Sequence, residues 1–509
     1  MQQISKSRRG IAVGAVVASL TGLIGFGRGV GLGADRASAW ESGFSPVAQV
    51  LTTGRDASWV CGAGTLAPGA TSTTDVVDQP VWVSLFNSSQ RSIDVSLDVL
   101  YDSTPARPVA ASNSALTLRA GERRDVKVVD LVAELPAPAT VVSAEDPSKS
   151  LAGAIYGAVA IRAADPALVV SYATGSDASL RWSACATSAN RRWIVPSGNT
   201  QKDASLQLVI TNPFDDVATV DLAVRTEAGF VEPPDFSGLV INPHSIRVIN
   251  VGDHVRRRET VAVDTTVRNG RAVMSWMQLP ASGAATSGLA SSGASATLRW
   301  TGLEFADNVS YGLWVYNPSI DQPSSVEITP LFEGGEAFPF VVDLGPTEQR
   351  FVDLSTDPRI VKNVPVTLDL RVVSGAPVAG QLSFSGADNS VRLGRDVSGG
   401  VPVDAHRWIV PVVQATDAMT TSLNVYNPND VAIAFTVREY VGADQLDFGV
   451  PQTTNRIVEA GGTLVVPLNK MRADSSAVSV ESTGAIVVVA QYDAIGTPAS
   501  SQTLGVVVR

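Results

Sequence analysis

The side chains able to do chemistry are few and widely separated in this chain. Its three histidines are His244, His254 and His406. None has a second histidine four residues away or a cysteine close by, so the spacing of a zinc site is missing. Carboxylates follow one recurring turn, as Asp215-Asp216, Asp321 and Asp430. Carboxylates with loop carbonyls can hold calcium, but such a site takes about six to eight oxygens. At most two carboxylates fall in any one of these turns. No Gly-x-Ser-x-Gly elbow, phosphate loop, dinucleotide fingerprint or zincin pattern occurs. No catalytic, cofactor-binding or metal residue is therefore expected, and the chain reads as a non-enzyme. An envelope hydrolase is the least favoured reading. Its paired carboxylates would meet only in space, whereas the acids here sit in turns or at outward positions where solvation accounts for them.

The two thiols are Cys61 and Cys185. Each follows a tryptophan, in Trp59-Val60-Cys61 and Trp182-Ser183-Ala184-Cys185, at either end of the first repeat defined below. They are expected to pair. Closing a loop of 185 − 61 = 124 residues is worth about 2–5 kcal/mol by loop entropy. No Cys-x-x-Cys is present, so redox catalysis is not indicated. Disulfides persist outside the cytoplasm, and the N-terminus agrees. Lys6, Arg8 and Arg9 precede an apolar run from Ile11 to Phe26, and Ala37-Ser38-Ala39 follows, which is the pattern of a secretory signal. The run has 16 residues, short of the roughly 20 that span a bilayer comfortably. Val30 and Leu32 could extend it past Arg28. Residues 1–39 are thus a cleaved signal or a retained anchor. The remainder is expected outside the cytoplasmic membrane, extracellular or on the cell surface, touching membrane only through that segment.

Net charge is −11. Past residue 10 the one basic cluster is Arg256-Arg257-Arg258, flanked by Asp253 and Glu259, so nucleic acid is not expected as a partner. Of the nine tryptophans, Trp59, Trp193, Trp300 and Trp408 recur at regular spacing and are expected to pack in cores. Trp314, Tyr316 and Tyr426 fall on the predicted outward face of a strand. They are the candidates for an aromatic surface that stacks on sugar rings.

The element that positions these residues is a repeated strand and turn. Leu423-Asn424-Val425-Tyr426-Asn427-Pro428 recurs as Leu313-Trp314-Val315-Tyr316-Asn317-Pro318 and Leu208-Val209-Ile210-Thr211-Asn212-Pro213. A fourth copy, Val83-Ser84-Leu85-Phe86-Asn87-Ser88, lacks the proline. Apolar residues alternate along each, as in a half-buried strand. Asparagine can bond the nearby backbone and proline cannot continue a ladder. Opening tryptophans recur after 300 − 193 = 107 and 408 − 300 = 108 residues. Short strands between Gly/Pro turns at that period predict an all-β chain of tandem immunoglobulin-like sandwiches of about seven strands. The expected bounds are 40–58 for a lead-in, then 59–190 with an inserted Pro/Ala loop, 191–297, 298–405 and 406–509. A hairpin is expected at Asn269-Gly270, and Ser374-Gly375 and Thr483-Gly484 stand at the same spacing in the third and fourth repeats. Short junctions such as Cys185 to Trp193 predict a semi-rigid rod.

Arg192-Trp193-Ile194-Val195-Pro196 returns letter for letter at Arg407-Trp408-Ile409-Val410-Pro411. With these openers, the Asn-Pro strand ends and the export segment, the chain resembles an actinobacterial family of exported proteins of unknown function. The resemblance covers most of the chain after residue 55, and the first copy departs from it with Asn87-Ser88. It carries over no catalytic or binding residue. The functional expectation is a non-catalytic cell-envelope protein, a scaffold, adhesion or spacer element whose partner is an envelope protein or polysaccharide. The alternative is a polysaccharide-binding module.

Overall fold

The computed structural model describes residues 50–51, 57–70, 76–102, 112–142, 150–175, 181–280, 285–332, 335–386, 394–401, 404–411, 419–447, 455–494 and 500–508. The expected signal or anchor and most of the lead-in lie outside the described residues. All of these residues fall in one compact unit, Phe44–Arg509. Among them the structure is β throughout, apart from three single-turn 3-10 helices, Val128–Leu131, Pro234–Phe236 and Val251–Asp253. No helix among them is long and apolar enough to cross a membrane.

The second repeat shows the plan. Its opening sheet runs Arg192–Val195, Val261–Asn269, Ala218–Thr226, Gly229–Val231, with Leu239–Ile241 also paired to Ala218–Thr226. Its motif sheet runs Ser245–Asn250, Ser205–Asn212, Val273–Leu279, Thr286–Leu289. Every ladder is antiparallel. Alternate residues of Ala218–Thr226 are buried, so one face of the opening sheet meets one face of the motif sheet across a shared core. Trp193, Leu208, Ile210, Val220, Val263 and Trp276 belong to that core. The third repeat uses the same strand order in both sheets, and the first does so with four described strands, Ala57–Ala67, Ile155–Ala163, Ile93–Tyr101 and Ser112–Leu118, in its opening sheet. In the fourth, one 20-residue strand, Ser475–Ala494, serves both sheets. Its first half pairs with Ile433–Val441 and its second half with Met419–Tyr426.

That strand explains why the hairpin expected at Asn269-Gly270 is absent. The strands before and after Asn269-Gly270 do not pair with each other; they lie in opposite sheets of one repeat. The same holds around Ser374-Gly375, and Thr483-Gly484 lies within the long strand. Each pair marks a crossing between sheets, because the apolar residues on both sides bury into the same core from opposite layers. Gly270 and Gly375 have φ of +72° and +88°, a region glycine enters without steric cost. A Cβ at Gly375 would also lie 1.9 Å from the Pro323 carbonyl oxygen.

The repeats are not strung as a rod. The outer face of each opening sheet packs against the outer face of the next motif sheet. Leu100, Ala158 and Ala160 of the first repeat meet Val209 and Ile246 of the second. Ile194 and Ala262 of the second meet Tyr316 and Ala379 of the third. Leu331 and Val401 of the third meet Tyr426, Val487 and Val489 of the fourth. Ile409, Tyr440 and Ala477 of the fourth then return to Phe86 and Val169 of the first. Four equivalent seams close a cycle. Inside it, the edge strands Arg181–Ala184, Thr286–Leu289, Gly394–Gly399 and Ser500–Leu504 each contact the next, and the last contacts the first. They surround a cavity of about 80 Å³ reached by residues of all four repeats, including Trp182, Trp276, Trp300 and Gln502. The junctions are short, as expected, but each repeat carries two apolar outer faces, and only a closed cycle buries both.

Candidate functional site

The most regular side chain in the protein is the asparagine that ends each motif strand. Asn87, Asn212, Asn317 and Asn427 are all fully buried. The Nδ2 of Asn427 donates to the carbonyls of Val431 at 2.7 Å, Val458 at 3.1 Å and Glu459 at 3.1 Å. Its Oδ1 accepts from the Asn429 amide at 2.9 Å. Asn212 does the same with Asp216, Ile241 and Phe214, and Asn317 with Gln322, Gly345 and Ser319. Asn87 repeats the pattern with Arg91, Leu118, Arg119 and Ser89, so the missing proline of the first copy changes nothing. The amide ties the turn to the neighbouring strand end and, with no solvent exposure, offers no face to a ligand. Trp59, Trp193, Trp300 and Trp408 are likewise buried, one in each core. Cys61 and Cys185 form a disulfide with Cα atoms 4.3 Å apart.

Tyr316 and Tyr426 do point away from their own cores, as the alternation predicts, but they are not on the surface. They are 1% and 2% exposed, because the opening sheet of the preceding repeat covers them. Each lies beside an arginine–carboxylate pair of that repeat. For Tyr316 the pair is Arg192 and Asp264, joined at 2.8 Å through Nε, with Arg192 also reaching the Pro318 carbonyl at 2.7 Å. For Tyr426 it is Arg299 and Asp369, at 3.1 Å. Burial, and next the Asp369 carboxylate, push the Tyr426 hydroxyl up to about 12. Burial raises Tyr316 as well.

A folded-state pKa above the ordinary tyrosine value of 10.0 means that the folded protein keeps a proton the unfolded chain gives up. The stabilisation is complete below pH 10 and disappears as pH climbs toward 12. Urea midpoints measured across that range will fall with rising pH, and Tyr426→Phe will make the fall shallower. An unchanged slope in Tyr426→Phe would contradict the burial of that hydroxyl.

Trp314 behaves differently. It is partly exposed, and its ring lies 4.7 Å from that of Phe351, which is 51% exposed. The register places Ser310, Gly312 and Trp314 on one face with Ser383 and Ser385 of the neighbouring strand and Phe351 and Asp353 of the other. Phe351 lies over Gly312, where a Cβ would come within 2.2 Å of its ring. The seam between second and third repeats is tight at Tyr316 and opens beyond Trp314 into a groove of about 510 Å³. Phe351, Gly312, Asp353, Ser383 and Ser385 line one wall, and Asn199, Gln278 and Thr286 of the second repeat line the other. Sequence reasoning missed Phe351. The available signal was Gly312, a glycine inside a strand, which marks a close approach by something else.

His244 bonds Asp215 at 2.7 Å and His254 bonds Asp235 at 3.2 Å, both at the surface. Among the described residues no cluster of three metal-ligating side chains occurs.

Residues 140–339 match the model of a family of unknown function, DUF5719. No curated protein matches the chain. Among solved structures, the chain is similar to Thermotoga maritima 1070 at 17% identity, over 21% of this chain and 93% of that one, with a TM-score of 0.19. An alpha-L-rhamnosidase from Streptomyces avermitilis, complexed with L-rhamnose, matches at 10% identity over 86% of this chain and 57% of that one, with a TM-score of 0.14. A tetra-tandem repeat from the extending region of a large adhesion protein matches at 10% over 88% and 98%, with a TM-score of 0.10. Scores this low carry no structural argument.

Proposed function

We propose that this is a non-catalytic exported protein of the cell envelope, in which four immunoglobulin-like sandwiches close into one rigid scaffold. The observation that supports it is where the recurring residues go. The asparagine quartet holds turns, the tryptophan quartet fills cores, and the motif tyrosines seal seams. A chain that repeats only architectural residues is built to present a surface, not to turn over a substrate. The Cys61–Cys185 disulfide suits an oxidising compartment. Four coupled repeats suit a platform that holds its shape better than they suit a spacer that extends.

Cell fractionation with a membrane-impermeant label on intact cells tests the location. The labelled chain is expected outside the cytoplasmic membrane with no free thiol. A reduced, cytoplasmic chain would overturn the reading. An N-terminal sequence beginning at Trp40 would select cleaved signal over anchor.

A further inference from the structure

The four seams are internal controls for one another, and one of them is different. Three residues before each motif asparagine, the equivalent positions are Ser84, Val209, Trp314 and Asn424. Ser84 is 0% exposed, and Val209 and Asn424 are each 1% exposed; only Trp314 reaches solvent. Five residues before the asparagine stand Trp82, Gln207, Gly312 and Ser422. The glycine there lets the Phe351 ring lie down on the sheet beside Trp314. The fold places the same opening-sheet face over the same motif-sheet face four times, and at the position of Trp314 the second-to-third seam alone leaves it uncovered.

We infer that this open end of the seam is a carbohydrate subsite, in which a neutral sugar ring stacks on Phe351, buttressed by Trp314, while its hydroxyls meet Ser383, Ser385, Asp353 and Asn199. An aromatic face takes the apolar side of a ring. Beyond it the lining mixes the apolar surfaces of Pro280, Tyr311 and Phe384 with hydroxyl, carboxamide and carboxylate groups, and has no lysine or arginine. Anionic ligands would find no countercharge there, and a wholly apolar one would leave those polar groups unpaired. The groove falls within the roughly 300–1,000 Å³ usual for small-molecule sites. The Gln278 carboxamide on the far wall is held in place by the Asn199 amide at 2.9 Å and by backbone carbonyls, so that wall is fixed before a ligand arrives. This subsite adds a ligand to the scaffold reading and does not require it.

The purified full chain should be titrated with a panel of neutral hexose and pentose oligosaccharides, followed by tryptophan fluorescence and saturation-transfer NMR, with a proline-rich peptide alongside. At least one oligosaccharide is expected to saturate. Phe351→Ala and Phe351→Leu should each weaken it by about tenfold or more, and Tyr426→Phe, buried in another seam, should not. Phe351 is half-exposed, so both variants should keep the unfolding midpoint of the parent. No saturation by any oligosaccharide, binding that survives both substitutions, or saturation by the peptide alone would overturn the subsite. A failure here leaves the export experiment standing, and the reverse.

Discussion

Asn427→Asp will unfold the fourth repeat far more readily than its size suggests. Aspartate is nearly isosteric with asparagine, so no cavity opens. What changes is the hydrogen bonding. The three carbonyls of Val431, Val458 and Glu459 lose their donor, and a carboxylate now faces three carbonyl oxygens in a site with no solvent exposure. Asn427→Ala removes the donor and also the Oδ1 that accepts from Asn429, leaves buried carbonyls unpaired and should cost about 3 kcal/mol. Asn427→Asp adds the burial of an unpaired charge and should cost more. Asn87→Ala, which also loses bonds to three carbonyls, should match the Asn427→Ala value, and Asn212→Ala and Asn317→Ala, which lose bonds to two, should fall within about 1 kcal/mol below it. Chemical denaturation of the series measures this. A harmless aspartate, or four unrelated alanine costs, would refute the common role.

The strand-and-turn repeat was legible because its signal is local. Alternation, an asparagine that bonds its own turn and a proline that stops the ladder all act within a few residues of Asn212, Asn317 and Asn427. The opening tryptophans were legible for the same reason, with one large side chain per core. Sequence reasoning failed where one pattern serves two neighbours. Tyr316 alternates outward from its own core, which reads as exposure, yet Ile194 and Ala262 of the preceding repeat cover it. Asn269-Gly270 has the chemistry of a hairpin turn, but a hairpin and a sheet crossing need the same backbone freedom at glycine. Only the choice of pairing partner separates them, and that choice is not local. Phe351 was hidden because its site is made by an absence, the missing side chain at Gly312.

Closure of the cycle depends on the seam between the fourth repeat and the first, and Phe86→Asp tests it. Phe86 is fully buried, and its ring meets that of Tyr440 edge-on at 4.9 Å. Gln90 reaches the Ala443 carbonyl at 2.6 Å across the same seam. The backbones approach so closely that a Cβ at Gly121 would lie 1.5 Å from the Gly442 carbonyl oxygen. The three other seams join repeats adjacent in sequence and are helped by short junctions. This one joins chain segments more than two hundred residues apart and must hold by its own contacts. Phe86 points away from its own core, so an aspartate there leaves the first repeat able to fold while placing an uncompensated charge in the seam, at a cost of several kcal/mol. The expected result is an opened chain of four folded sandwiches. Its strand content would be unchanged and its unfolding would split into more than one transition. A compact unit of this length has a radius of gyration of about 23 Å, and X-ray scattering should show the parent near that value and the variant well above it. A variant as compact as its parent, melting in one step, would mean that this seam does not hold the cycle shut.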